Sequence, residues 1–163
     1  MALLSQGRAI ADAFVTVADD APVPPDVPAI VPLARLRAEP GLPDRRTAPL
    51  GVLVPAATPP AALADLLPAV ALIAVAFAKF RDGRGFTLAR TLRERHAYAG
   101  EVRAAGHVLP DQYRFLIRCG FDTVEIPDGA DPAVWVAALG RFHLAYQTAV
   151  NDAPLHGRRR LAG

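Results

Sequence analysis

An α/β fold is what this sequence predicts: a parallel sheet of about four strands, made by repeated strand-helix units, with a Pro-rich N-terminal strand pair beside it. Three observations carry that expectation. Short apolar runs recur roughly every 20 to 30 residues after Pro49. Each is followed by a segment of helical periodicity, and such spacing implies right-handed crossovers and hence parallel strands. The run Ala71–Phe77 is apolar at every position, the pattern of a strand covered on both faces. Four such units suit an open sandwich or a half-barrel-like sheet. The open sheet is preferred, because four parallel strands do not close a barrel alone.

The N-terminal region, residues 1–47, reads as a strand pair and a Pro-rich linker packed on the core. Ala13–Ala18 predicts one strand and Ala29–Leu33 a second. Between them Ala21–Pro28 holds four prolines, which neither a helix interior nor a central strand tolerates. A short helix is expected over Leu33–Ala38, and Pro40–Pro49 is a linker.

Residues 48–150 form the expected repeat core. Leu50–Val54 is its first strand. Thr58-Pro59-Pro60 predicts a helix start, with a hydroxyl cap and prolines in the first turn. Ala71–Phe77 is the second strand. Thr87–His96 follows as a helix, Thr87 capping it, Leu88 and Leu92 inward, and Arg90, Arg93 and Glu94 toward water. Glu101–Ala105 is the third strand. Pro110–Cys119 is a helix with Tyr113, Leu116 and Ile117 on one face, and Gly120 stands where a left-handed cap belongs. Phe121–Ile126 is the fourth strand. Asp131-Pro132 then opens a last helix reaching about Val150, with Trp135, Leu139, Phe142 and Tyr146 at helical spacing as core residues. Residues 151–163 read as a basic, flexible tail.

Composition narrows the function. The chain has 163 residues, 21% of them charged, and a formal net charge of +2. Arg158-Arg159-Arg160 alone exceeds that surplus, so the body is near neutral and carries no extended nucleic-acid groove. The single cysteine, Cys119, excludes an internal disulfide and a multi-cysteine metal site. At a helix C-terminus its thiolate gains nothing from the dipole, which points to a small apolar filler; Arg118 beside it keeps a redox role open. No His/Asp/Glu grouping has metal spacing. The start lacks a secretory pattern, and the longest apolar stretch is shorter than the roughly 20 residues a bilayer needs. A cytoplasmic protein is expected, without membrane or nucleic-acid partners.

Loops after the C-terminal ends of parallel strands share a rim where ligands bind. The loop after the second core strand is distinctive: Lys79-Phe80-Arg81-Asp82-Gly83-Arg84-Gly85-Phe86-Thr87. Gly83 and Gly85 permit close approach or positive φ, and free amides at the next helix start face the same space as three cations. A small oxyanion suits that combination. The plainer alternative is a tight turn in which Asp82 pairs with Arg81 or Arg84. The loop matches neither the phosphate-binding nor the dinucleotide glycine pattern. On the same rim, His107 offers acid–base chemistry with Asp111 orienting it, and Gln112 lies beside them. Alternatively, Asp111 only serves the helix start and His107 is an ordinary loop residue. Asp82, Asp111 and His107 are the catalytic candidates. Lys79, Arg81, Asp82, Gly83, Arg84, Gly85, Thr87 and Gln112 are the anion-binding ones. No flavin, nicotinamide, haem or iron–sulfur motif is evident.

Several blocks recur in order: Phe77-x-Lys79-Phe-Arg-Asp-Gly-Arg-Gly-Phe-Thr-Leu-Ala-Arg90-x-Leu92-Arg93, Gly100-Glu-x-Arg103, Asp111-Gln112 and Arg118-Cys-Gly-Phe-Asp122. Together they resemble the bacterial domain-of-unknown-function family 934, over roughly residues 48 to 147, with weaker echoes at Asp12-Ala-Phe14 and Asp19-Asp20. Ala78, Phe86-Thr87, His107 and Pro110 depart from that pattern, which weakens His107 as a family-wide base. The resemblance implies a gene neighbourhood with assimilatory sulfite reductase and an occasional oxidoreductase label. It therefore implies an accessory protein of sulfite reduction that uses the Lys79–Gly85 loop to hold an oxyanion or to dock sulfite reductase or another sulfur-assimilation protein. A small enzyme on an anionic substrate at the same rim is the alternative, and a plain interaction module a third.

Overall fold

The computed structural model describes residues 2–141 and 149–150. Eight strands form one mixed sheet: β1 (Ala2–Ser5), β2 (Arg8–Ile10), β3 (Val15–Thr16), β4 (Ala29–Pro32), β5 (Leu50–Pro55), β6 (Leu72–Phe77), β7 (Glu101–Gly106) and β8 (Thr123–Ile126). Their order is β2-β1-β8-β7-β6-β5-β4-β3. From β3 to β8 neighbours are parallel and run in chain order, whereas β1 pairs antiparallel with both β8 and β2. The parallel part thus has six strands, not about four, because the N-terminal strand pair (β3 and β4) continues the same ladder.

Sequential order has a consequence for layering. Right-handed crossovers between neighbours that never reverse direction put every helix on one face. The helices α1 (Leu33–Ala38), α2 (Arg84–His96), α3 (Tyr113–Arg118) and α4 (Pro132–Gly140) all bury side chains in one cluster with Val52, Val54, Ile73, Val75, Phe77, Val102, Ala104, Val124 and Ile126. Alternate residues point to the opposite face, free of helices among the described residues, where Ile30, Leu72 and Ala74 form a second small cluster with Phe14 and Leu53. The preferred three-layer open sandwich is therefore replaced by its alternative, a curled half-barrel sheet.

What curls it is visible in the connection between its edges. The sheet, at about 4.8 Å per strand spacing, is roughly 34 Å wide along its surface. Yet β2 and β3, its two outer strands, are joined by Ala11–Phe14 alone, which reaches about 18 Å at full extension. The edges must approach each other, and the strap between them crosses that opposite face. There Asp12 forks onto Arg103 at 2.7 and 2.9 Å, and the Arg103 guanidinium stands 5.8 Å from the Phe14 ring. Arg103 is 1% exposed, and also meets Glu101 at 3.0 Å and Glu125 at 3.5 Å. Thr123 donates to the Glu101 carboxylate at 2.6 Å.

Other elements depart from the sequence expectation for local reasons. Thr58 caps no helix: Pro60–Leu63 and Leu67–Ala69 are single 3₁₀ turns, since Pro59, Pro60 and Pro68 leave too few amides for an α-helix. Helix α2 starts at Arg84, so Thr87 lies inside it rather than capping it. Pro110–Gln112 is a 3₁₀ turn before α3, and Ile117 is only partly buried. Arg93 does not face water: it donates to the carbonyls of Gly120, Tyr98 and Gly100 and pairs with Asp122, tying α2 to the starts of β7 and β8. The residues before Ala13, where no element is expected, contain the β1–β2 hairpin. Helix α1, the Gly120 cap (φ 99°) and the Asp131 cap, which accepts from the Ala133 amide at 2.8 Å, match the expectation. Trp135 is buried and Leu139 packs on the core; Phe142, Tyr146 and the 151–163 tail lie outside the described residues.

The Pro-rich loop is held by arginines. Prolines donate no backbone hydrogen bond, so the carbonyls of such a loop lack ladder partners. Arg35 serves Ala18 and Ala21, and Arg46 serves Pro24 and Val27.

Candidate functional site

Strands β6 and β7 end at Phe77 and Gly106, and the loops that leave them rise side by side. His107 N–H donates to Phe77 O at 2.7 Å across the two. Gln112 reaches over from the 3₁₀ turn: its Nε2 donates to Phe80 O at 2.7 Å, while its Oε1 accepts from Leu109 N at 3.0 Å. Between the loops opens a cleft of about 540 Å³, lined by Phe80, Arg81, Gly83, Phe86, Thr87, Leu109, Asp111, Gln112 and Phe115. A smaller one of about 230 Å³ lies against Ala56–Pro60, and Arg84 and Thr87 border it. The rim expected from the strand ends is thus a real concavity, of a size that holds a small organic ligand.

The sequence candidates divide. Arg81, Gly83, Thr87, Asp111 and Gln112 line the larger cleft. Lys79 is exposed but outside its lining, as is His107, whose ring stands edge-on to Phe80 at 5.7 Å. His107 and Asp111 make no hydrogen bond to each other among the described residues, so the orienting pair is not formed; Asp111 lies in the first turn of Pro110–Gln112, as the plainer alternative had it, while Gln112 takes the Leu109 amide.

Asp82 and Arg84 follow the plainer alternative. The Asp82 carboxylate accepts from Arg84 Nε at 2.8 Å, Nη2 at 2.7 Å and the Arg84 amide at 3.2 Å. The Arg84 guanidinium holds the Asp82 carboxyl below the usual carboxylate range. A carboxylate so held stays ionised and is a poor proton donor, and it already satisfies the first amide of α2. Arg81 is left as the cation of the cleft, its guanidinium 5.8 Å above the Phe80 ring.

Neither loop glycine has positive φ. An added Cβ at Gly83 meets nothing within 4 Å, whereas one at Gly85 falls 2.5 Å from the buried Phe77 ring. Gly85 therefore lets α2 pack on β6. What sequence reasoning missed is the aromatic half of the cleft. Phe80, Phe86, Leu109 and Phe115 make its walls, and the available signal was Phe115, an aromatic standing off the Tyr113–Leu116 stripe. Cys119 is buried, and burial pushes its thiol up, as suits a core filler. Among the described residues no group of His, Cys, Asp and Glu has metal-holding geometry, and no helix is long and apolar enough to cross a membrane.

Fold and rim together define a half-barrel α/β protein with an amphipathic, ligand-sized cleft at the C-terminal ends of its central strands. The model of a family described as bacterial protein of unknown function, domain-of-unknown-function family 934, matches residues 51–156. The chain belongs to that family. No curated protein and no solved structure matches it.

Proposed function

We propose that this protein is an accessory factor of assimilatory sulfite reduction that holds an anionic ligand in the rim cleft between the loops after β6 and β7. The gene neighbourhood implied by the family resemblance supplies the pathway. The observation that carries the site is Arg81: it lines the larger cleft and has no carboxylate partner among the described residues, beside Thr87 and Gln112. Lys79 and the positive end of α2 add to the local potential. Binding sulfite or sulfate here raises the melting temperature, since a ligand at a hundred times its Kd adds about 2.7 kcal/mol to stability. Arg81→Ala removes that shift and weakens co-purification with sulfite reductase. A thermal-shift series in which sulfite, sulfate and phosphate leave both forms unmoved defeats the proposal. Asp111, a cleft carboxylate without an ion-pair partner among the described residues, supports a second reading, an enzyme using it for proton transfer; turnover lost in Asp111→Asn with the fold intact is its signature.

A further inference from the structure

We infer that the preferred ligand of this cleft is a planar aromatic or heteroaromatic ring bearing one anionic group, of which a free inorganic oxyanion reproduces only the anionic part. The inference rests on the anion-binding reading above and specifies its ligand. An inorganic oxyanion fills only a small part of about 540 Å³, and it leaves the apolar lining facing water. That lining is aromatic on both sides. Phe80 comes from the loop after β6 and is 39% exposed; Phe115 comes from α3 and is 50% exposed. Phe86, buried, also lines the cleft, its ring 4.8 Å from that of Phe115.

Two half-exposed phenyl rings on one concavity cost hydration free energy in the empty protein, and a flat apolar ligand recovers it. The rings are also held in place. The Gln112 amide fixes the Phe80 carbonyl, His107 stands edge-on to the Phe80 ring, and Phe115 rests on Phe86, which packs at a tilt against Phe77 at 5.4 Å. Preorganised aromatic walls lose little entropy on binding.

Charge sets the rest of the ligand. Arg81 lies over the outer wall, where a guanidinium meets an acid group projecting from a ring that sits between Phe80 and Phe115. Asp111 opposes a second negative charge and accepts a hydrogen bond from a ring N–H or hydroxyl. One anion, one flat apolar body and one donor edge are the complement of this lining.

The test compares benzenesulfonate with methanesulfonate, two permanent monoanions with the same head group, by calorimetry on the full chain. Benzenesulfonate is expected to bind at least about tenfold tighter, a difference of about 1.4 kcal/mol. Phe115→Ala and the milder Phe115→Leu erase most of that ratio while keeping methanesulfonate affinity, and Arg81→Ala removes both. Equal affinity for the two sulfonates overturns the ring while leaving the anion site standing. So does a ratio that Phe115→Ala and Phe115→Leu leave intact, or cyclohexanesulfonate binding as tightly as benzenesulfonate. Failure of both sulfonates to bind overturns ring and anion site together.

Discussion

Gly83 and Gly85 stand two residues apart and do different work. Gly85 is buried where α2 crosses β6, and an added Cβ would lie 2.5 Å from Phe77 Cζ and 3.2 Å from Ala56 Cβ. Phe77 cannot yield easily, because its ring also packs on Phe86 and Phe121. Gly85→Ala is therefore expected to cost about 1–3 kcal/mol, the usual range for overpacking a filled core. Gly83 has helical φ and open space, so Gly83→Ala should change stability by less than about 0.5 kcal/mol. Denaturant midpoints of the two variants, read side by side, check both. From sequence the two glycines look alike, since spacing identifies a loop but not which residue meets a ring from another strand. For the same reason Arg93 reads as a surface residue: its helical phase is outward, and only the return of Tyr98–Gly100 and Gly120 around it makes it a partly buried clamp.

At the scale of elements, the β1–β2 hairpin shows how a short signal is masked by its surroundings. Ser5 pairs with Arg8 across a two-residue turn in which Gln6 (φ 48°) and Gly7 (φ 78°) are both left-handed, the geometry of a type I′ turn. Its strands are too short for periodicity to register, so Gln6-Gly7 was the one legible cue. The turn is anchored where the Gly7 amide donates to the Tyr113 hydroxyl at 3.0 Å. Gly7→Ala forces a Cβ into the left-handed region and to 3.1 Å from Leu139 Cδ1, with an expected loss of about 1–2 kcal/mol. Gln6→Asn supplies the residue type such turns favour and should raise the melting temperature slightly. The central strands, by contrast, were legible almost to the residue, because β6 is covered on both faces and its apolar run has no other explanation. What the runs could not convey was their number in one sheet, since β3 spans only two residues.

Across the whole molecule, the curl of the sheet depends on a strap whose anchor is ionic. One guanidinium, Arg103, sits among three carboxylates, two of which titrate in opposite senses. Burial pushes Glu125 up, and Arg103 only partly offsets this. For Asp12 burial also pushes upward, but the Arg103 fork and the Phe14 amide outweigh it and leave the carboxyl below its usual value. A carboxyl raised on folding binds its proton more tightly in the native state. Its contribution is therefore complete below its ordinary value of 4.5 and is lost as pH rises through the raised value. Asp12 contributes stability above 3.8 that is lost as pH falls through its lowered value. Stability is thus expected to fall on both sides of a weakly acidic optimum. Glu125→Gln should flatten the descent above pH 4.5 while leaving the acid limb unchanged. Asp12→Asn should shrink the acid limb, to which Asp82 also contributes, and lower stability at every pH above it. The cost stays under the about 3–5 kcal/mol of an orphaned buried charge, because Glu101 and Glu125 remain beside Arg103. Denaturant midpoints of the three proteins from pH 3 to 8 measure this directly. An unaltered profile in Glu125→Gln would show that the cluster does not set the pH response, and that the strap is held chiefly by Phe14 on the apolar cluster beneath it.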